Sequence, residues 1–154
     1  MKKLQFSKTI NAPVSKVYNT MLGLDNIETY QQWTKVFNPT STYEGKWKKG
    51  TKIVFVGTHE DGTRGGMISE VIENIPNSFV SVKHYGVLDG EKEITTGPEV
   101  EKWAGGLENY FFESHGKSTI VTVETDSTED FIAYFTETWP KALNRLKELS
   151  EQAN

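Results

Sequence analysis

The stretch that decides the fold is "FTETWPKALNRLKEL", Phe135–Leu149. It reads as an amphipathic helix with a proline in its middle. An interior proline removes one N–H donor and clashes with the carbonyl four residues back, at a cost of about 3 kcal/mol. The apolar stripe nevertheless keeps its phase across Pro140. Phe131, Phe135, Trp139, Ala142, Leu146 and Leu149 fall within an arc of about 80° on a helical projection. Two independent helices have no reason to share a phase. A new helix beginning at Pro140 would make Trp139 its N-cap, and tryptophan is a poor one. The pattern therefore predicts one long C-terminal helix, bent between Thr136 and Pro140 and capped by Asp126 or Ser127.

Upstream of that helix the period changes from helical to alternating. "KKLQFSKTIN" (Lys2–Asn11) places Leu4, Phe6 and Ile10 on one face of a strand. In "APVSKVYNTML" (Ala12–Leu22), Val14, Val17, Tyr18, Met21 and Leu22 form one helical face, with Pro13 in the first turn and Gly23 as the stop. Asp25 and Glu28 have the spacing of a capping box and predict a short second helix that ends before Trp33. A short strand is predicted over Thr42–Glu44. Three antiparallel strands follow at about residues 51–59, 65–75 and 78–88, turning at Asp61-Gly62 and at "NIPNS". Residues 89–106 lack alternation and are too long for an ordinary hairpin loop, and "PEVEKWAG" within them suits one helical turn. A last hairpin turns at His115-Gly116-Lys117.

The predicted class is α+β: a curved antiparallel sheet of about 6–7 strands, two short helices after the first strand, and one long helix covering one face. A curled sheet and a bent helix predict space between them that side chains do not fill. At 154 residues the chain suits a single domain over residues 1–154.

Composition narrows the function. The net charge of −4 argues against a nucleic-acid face and against a polybasic membrane anchor. Without cysteine there is no disulfide, thiolate metal site or thiol nucleophile. The start "MKKLQFSKTINAP" has no apolar run suited to a signal peptide, and no stretch has the length of a membrane span, so a cytoplasmic protein is expected.

Several of these segments also resemble a known superfamily. "TINAPVSKVYNTM" (Thr9–Met21), Trp33 and "YEGKWKKGT" (Tyr43–Thr51) look like the opening of a START-like helix-grip domain, of the SRPBCC or Bet v 1-like superfamily. "GGLENYFFESHGKSTIVTVETD" (Gly105–Asp126) and "YFTETWPKALNRLKEL" (Tyr134–Leu149) resemble the branch named after the activator of Hsp90 ATPase. The likeness runs from about Lys3 to Leu149. It implies a sheet gripping the long helix around a hydrophobic cavity. Members of the superfamily bind lipids, sterols, plant hormones or polyketides, and some are cyclases or hydrolases. The branch's namesake co-chaperone carries a separate Hsp90-binding domain, to which the likeness does not extend.

The candidate cavity residues are Phe131, Phe135 and Trp139 on the helix stripe. Their partners are Trp33, Phe37, Phe55, Met67, Tyr85, Tyr110 and Phe112. Each also suits ordinary core packing, because aromatic rings bury large areas without a ligand. A register error of one residue would exchange the inner and outer sets. Trp103, in a polar loop before two glycines, suits a lid over the cavity or a plug that pins the loop. His59, His84 and His115 show no metal-ligand spacing, and no metal or cofactor is expected. His59 and His115 fall in turns. His84 lies in a strand, where it suits a structural role or an acid–base role in the cavity. Glu70, Glu73, Glu108, Glu113 and Glu124 are strand carboxylates, most of them expected on the wet face. "KWKKG" (Lys46–Gly50) is expected to be a solvated turn, and "GTRGG" (Gly62–Gly66) a hairpin and not a phosphate loop.

The leading expectation is binding of a small apolar or amphipathic molecule between sheet and helix, with no covalent chemistry and no catalytic residue. An enzyme using the same cavity would show a buried histidine or carboxylate facing it. A chaperone-associated interaction module would instead show a filled core and an exposed apolar patch.

Overall fold

A computed structural model describes residues 1–152. Its strands are β1 (Lys2–Ile10), β2 (Thr42–Gly45), β3 (Lys52–Thr58), β4 (Arg64–Ile75), β5 (Phe79–Asp89), β6 (Lys92–Ile94), β7 (Leu107–His115) and β8 (Ser118–Ser127). Its helices are α1 (Val14–Leu22), α2 (Ile27–Thr34), α3 (Pro98–Glu101) and α4 (Ile132–Glu151). All pairings are antiparallel, in the order β1-β8-β7-β5-β4-β3-β2, with the short β6 paired to the end of β5. This is the α+β helix-grip arrangement. The sheet has eight strands, not six or seven, because residues 89–106 add β6 as well as the single turn α3.

The first strand is sewn to the last. β1 pairs β8 along its whole length, from Lys2 opposite Ser127 to Ile10 opposite Thr119. Alternation then decides what is inside. Phe6 on β1, Ile53 and Phe55 on β3, Val80 and Val82 on β5, Tyr110 and Phe112 on β7, and Val121 and Val123 on β8 belong to one core cluster with the helices. Val54, Val56, Ile68 and Leu88 make a smaller cluster on the opposite face.

α4 is continuous across Pro140 and presents Trp139, Ala142, Leu143, Leu146 and Leu149 to the sheet. Two predicted boundaries shift. Asp126 and Ser127 do not cap α4. They complete β8, and a 3-10 turn over Glu129–Phe131 leads into the helix. α2 does not stop before Trp33. It runs on through Thr34, and Asn26 caps it by accepting the Glu28 N–H at 3.0 Å.

The C-terminal end of α1 shows how aromatic residues organise one end of the molecule. A helix leaves its last four carbonyls without helical partners. Here Asn19 O accepts the N–H groups of Gly23 and Leu24, with Gly23 in the left-handed region at φ 67°. Thr20 O accepts the Thr29 hydroxyl at 2.7 Å. Met21 O accepts the Trp33 indole N–H at 2.8 Å. Leu22 O accepts both the Trp47 indole at 2.9 Å and the Tyr43 hydroxyl at 2.7 Å. Trp47 is therefore buried, and the expectation that "KWKKG" is a solvated turn fails there. Its lysines stay exposed while the ring between them turns inward.

Candidate functional site

Between α4 and the inner face of the sheet lies a cavity of about 410 Å³. α2 and the residues after it supply Tyr30, Trp33, Thr34 and Phe37. β3, β4 and β5 supply Phe55, Met67, His84 and Val87. The loop after α3 supplies Trp103. β7 and β8 supply Glu108, Tyr110, Thr125, Asp126 and Ser127. The start of α4 and the turn before it supply Phe131, Phe135 and Trp139.

Nine of the aromatic and apolar residues singled out from the sequence meet here: Trp33, Phe37, Phe55, Met67, Trp103, Tyr110, Phe131, Phe135 and Trp139. Trp139 is the hub. Its ring lies 5.0 Å from Phe37, 5.8 Å from Trp33 and 6.4 Å from both Tyr110 and Phe6. Its indole N–H is buried without a partner among the described residues. Phe131 is 54 % exposed, at the rim.

Two of the expected cavity residues lie elsewhere. Tyr85 packs on the opposite face with Val54, Val56, Ile68 and Leu88. Alternation from the inward Val80 and Val82 puts His84 inside and Tyr85 outside, and a bulge follows: Ile68 pairs Gly86 but Ser69 pairs His84, so Tyr85 is the unpaired extra residue. The bulge resets the alternation, and His84 and Val87 both reach the cavity although they are three residues apart. Phe112 faces inward but one step further along β7, where α1 already fills the space. It meets Tyr18 edge-on at 5.4 Å.

Trp103 stands on a well-anchored loop. Val100 of α3 is buried. The backbone on either side of the returning chain brackets His84: the His84 N–H donates to Gly106 O at 3.0 Å, and the Gly105 N–H donates to His84 O at 2.9 Å. The loop thus fixes Trp103 and His84 relative to each other.

The cavity has a polar end that the aromatic pattern did not announce. Ser69 Oγ lies 2.6 Å from His84 Nδ1. His84 Nε2 lies 4.0 Å from Glu108 Oε1. Glu108 Oε2 accepts the Tyr110 hydroxyl. The facing carboxylate favours the tautomer with the proton on Nε2, in which Ser69 donates to Nδ1. Burial pushes the His84 pKa below its ordinary value, against the opposing pull of the Glu108 and Asp126 carboxylates, so the ring is neutral at about pH 7. Burial, with the Glu108 charge, pushes the Tyr110 hydroxyl well above its ordinary range, and it remains a donor. Asp126 is held from outside. Its Oδ2 accepts the Leu107 N–H at 2.9 Å, and its Oδ1 lies 3.4 Å from Lys3 Nζ.

Glu108 is an exception among the strand carboxylates, most of which are expected on the wet face. Its side chain is only 20 % exposed and lines the cavity. The alternation that turns Tyr110 and Phe112 inward also turns Glu108 inward, two residues earlier, and that signal was available in "LENYFF". Ser69 is fully buried behind the histidine. It can orient the ring but offers no nucleophile to the cavity.

No family model and no curated protein matches the chain. Solved structures do match it over nearly the whole of the chain. The Mesorhizobium loti protein MLL2253 superposes with a TM-score of 0.71 at 13 % identity, covering 99 % of each chain. The Aha1 dimer from Colwellia psychrerythraea superposes with a TM-score of 0.70 at 22 % identity, covering 98 % of this chain and 97 % of its own. DynU16, described as a putative protein of the dynemicin biosynthetic locus, gives 0.68 at 15 % identity, with 99 % of this chain matched to 48 % of its length. At these identities the shared property is the helix-grip fold.

Proposed function

We propose that this chain binds a small amphipathic molecule between α4 and the sheet. Its apolar body would pack on the rings around Trp139, and its polar end would sit at His84 and Glu108. The observation that carries this reading is the cavity itself, about 410 Å³ with predominantly aromatic walls and one cluster of polar groups. That combination of apolar walls and few convergent polar groups is how small-molecule sites are built. The likeness to the helix-grip structures supports it, because the cavity lies where that fold has its sheet–helix gap. The open space also weighs against the interaction-module alternative, which calls for a filled core.

One observation favours a second reading. His84 and Glu108 are both largely buried and face the cavity. A neutral imidazole and a carboxylate in that position suit proton transfer to or from a bound molecule. An enzyme of this kind would use His84 Nε2 or Glu108, with Ser69 and Tyr110 as positioning residues.

Native mass spectrometry of protein purified from its own host separates these readings from an empty domain. A stoichiometric compound retained in the native ion and released on denaturation is the expected result. A chain that comes through empty, and that also takes up no small apolar compound in titration, would end the binding reading. A released compound whose composition changes on incubation with the protein, but not with His84→Gln, would favour the enzyme.

A further inference from the structure

We infer that the cavity selects its ligand by charge: it accepts amine-bearing and neutral amphiphiles and rejects carboxylates. This rests on the binding reading above and adds the chemical class. The charged side chains lining the cavity are both acidic, Glu108 and Asp126, and among the described residues no lysine or arginine lines it. The two acids are not equivalent. Asp126 is balanced by Lys3 and by a backbone N–H. Glu108 has no cationic partner among the described residues, only the Tyr110 hydroxyl and the neutral His84 ring.

Both donors at this end already point to the protein's own carboxylate. The Tyr110 hydroxyl donates to Glu108, and the Nε2 proton of His84 faces it. A ligand carboxylate at this end would therefore meet a like charge at short range, and neither the Tyr110 hydroxyl nor the His84 Nε2 proton is free to replace its lost water; the unpartnered donor of the cavity, the Trp139 indole N–H, belongs to the aromatic wall. A ligand ammonium would pair with Glu108 and lie among the aromatic rings, whose faces attract cations. A ligand hydroxyl falls between the two, donating to Glu108 without charge.

Isothermal titration with three probes of the same shape tests this at about neutral pH: naphthylethylamine, naphthylethanol and naphthylacetate. The expected order is amine tightest, alcohol next and carboxylate weakest, with at least about tenfold between the ends. Glu108→Gln is expected to bring amine and carboxylate within about threefold of each other. A carboxylate that binds wild type as well as the amine does would overturn the charge rule and leave the cavity reading standing. An amine preference that survives Glu108→Gln in a folded variant would overturn the role of Glu108. No binding by any of the three would remove the cavity reading and the charge rule together. Should Glu108→Gln fail to fold, the order of the three probes on wild type decides.

Discussion

The two halves of α4 meet the sheet in different ways. α4 packs on β1, α1 and α2, and between Ala142 and Leu149 it has Leu143 and Leu146 fully buried. From Phe131 to Trp139 it borders the cavity, and only Thr138 and Trp139 are buried. The same stripe therefore closes one end of the molecule and leaves the other open. What differs is the opposing material. At the closed end the last carbonyls of α1 are tied to α2 by Thr29 and Trp33, and to β2 and the turn after it by Tyr43 and Trp47. At the open end the facing groups are strand residues, one anchored loop, and the side chains of α2 and the residues after it that border the cavity without filling it. The lesson is that a helix stripe fixes which face is covered and leaves open whether the space beneath is filled.

The contrast can be broken by truncation. Leu146→Ala at the closed end is expected to cost about 3 kcal/mol, since it opens a void in a filled core. Phe135→Ala at the open end is expected to cost less than about 1.5 kcal/mol, because that ring already borders empty space. Urea denaturation of both variants gives the comparison, and equal costs would erase it.

The next effect concerns the donors of the closed end. Trp47→Phe keeps an aromatic ring but removes the indole N–H from Leu22 O. Tyr43 still serves that carbonyl, so the expected loss is about 1–2 kcal/mol. A loss below about 0.3 kcal/mol would mean that Tyr43 alone suffices.

A pH experiment sharpens the open end. Because burial holds the His84 pKa below its ordinary value, the unfolded chain takes up a proton that the folded chain resists. The stability this contributes is complete above about pH 6.5 and is lost as pH falls through the folded-state value. Wild type should therefore lose stability on acidification from about pH 7 to about pH 5, and His84→Gln should lose less over the same window. Parallel losses in the two proteins would assign the acid sensitivity to other groups. The smallest effect belongs to the rim. Phe131→Ala, at a half-exposed ring, should change the thermal midpoint by an amount equivalent to less than about 0.5 kcal/mol, and a larger loss would mean that the rim is part of the core.

The sequence made the helix, the hairpins and the inward aromatics legible because each rests on a periodicity. Pro140 was readable as interior because the stripe from Phe131 to Leu149 did not lose phase. Depth and irregularity were not readable. Phe112 shares a face with Tyr110, but alternation does not say that α1 covers one and the cavity borders the other. Val87 joins His84 at the cavity because of one extra residue in β5, and composition does not mark a bulge there. Trp47 was masked by the lysines around it. Glu108 is ambiguous for a different reason: its charge suits the wet face, while its position two before Tyr110 places it inside. Polar residues at a functional site violate the pattern that locates everything else.

The pairing of β1 with β8 has a consequence for synthesis. Over a hundred residues separate every pair in that ladder. At the usual translation rates of about 5–20 residues per second, β1 waits roughly 5–20 s for its partner. Through that interval its backbone edge is unpaired, and the inner face carrying Phe6 and Ile10 has nothing to cover it. β1 carries three lysines, Lys2, Lys3 and Lys8, whose charge discourages edge-to-edge association while the strand is alone. The nascent chain is thus most exposed to aggregation just before β8 emerges, and a chaperone that holds extended segments would act on it there.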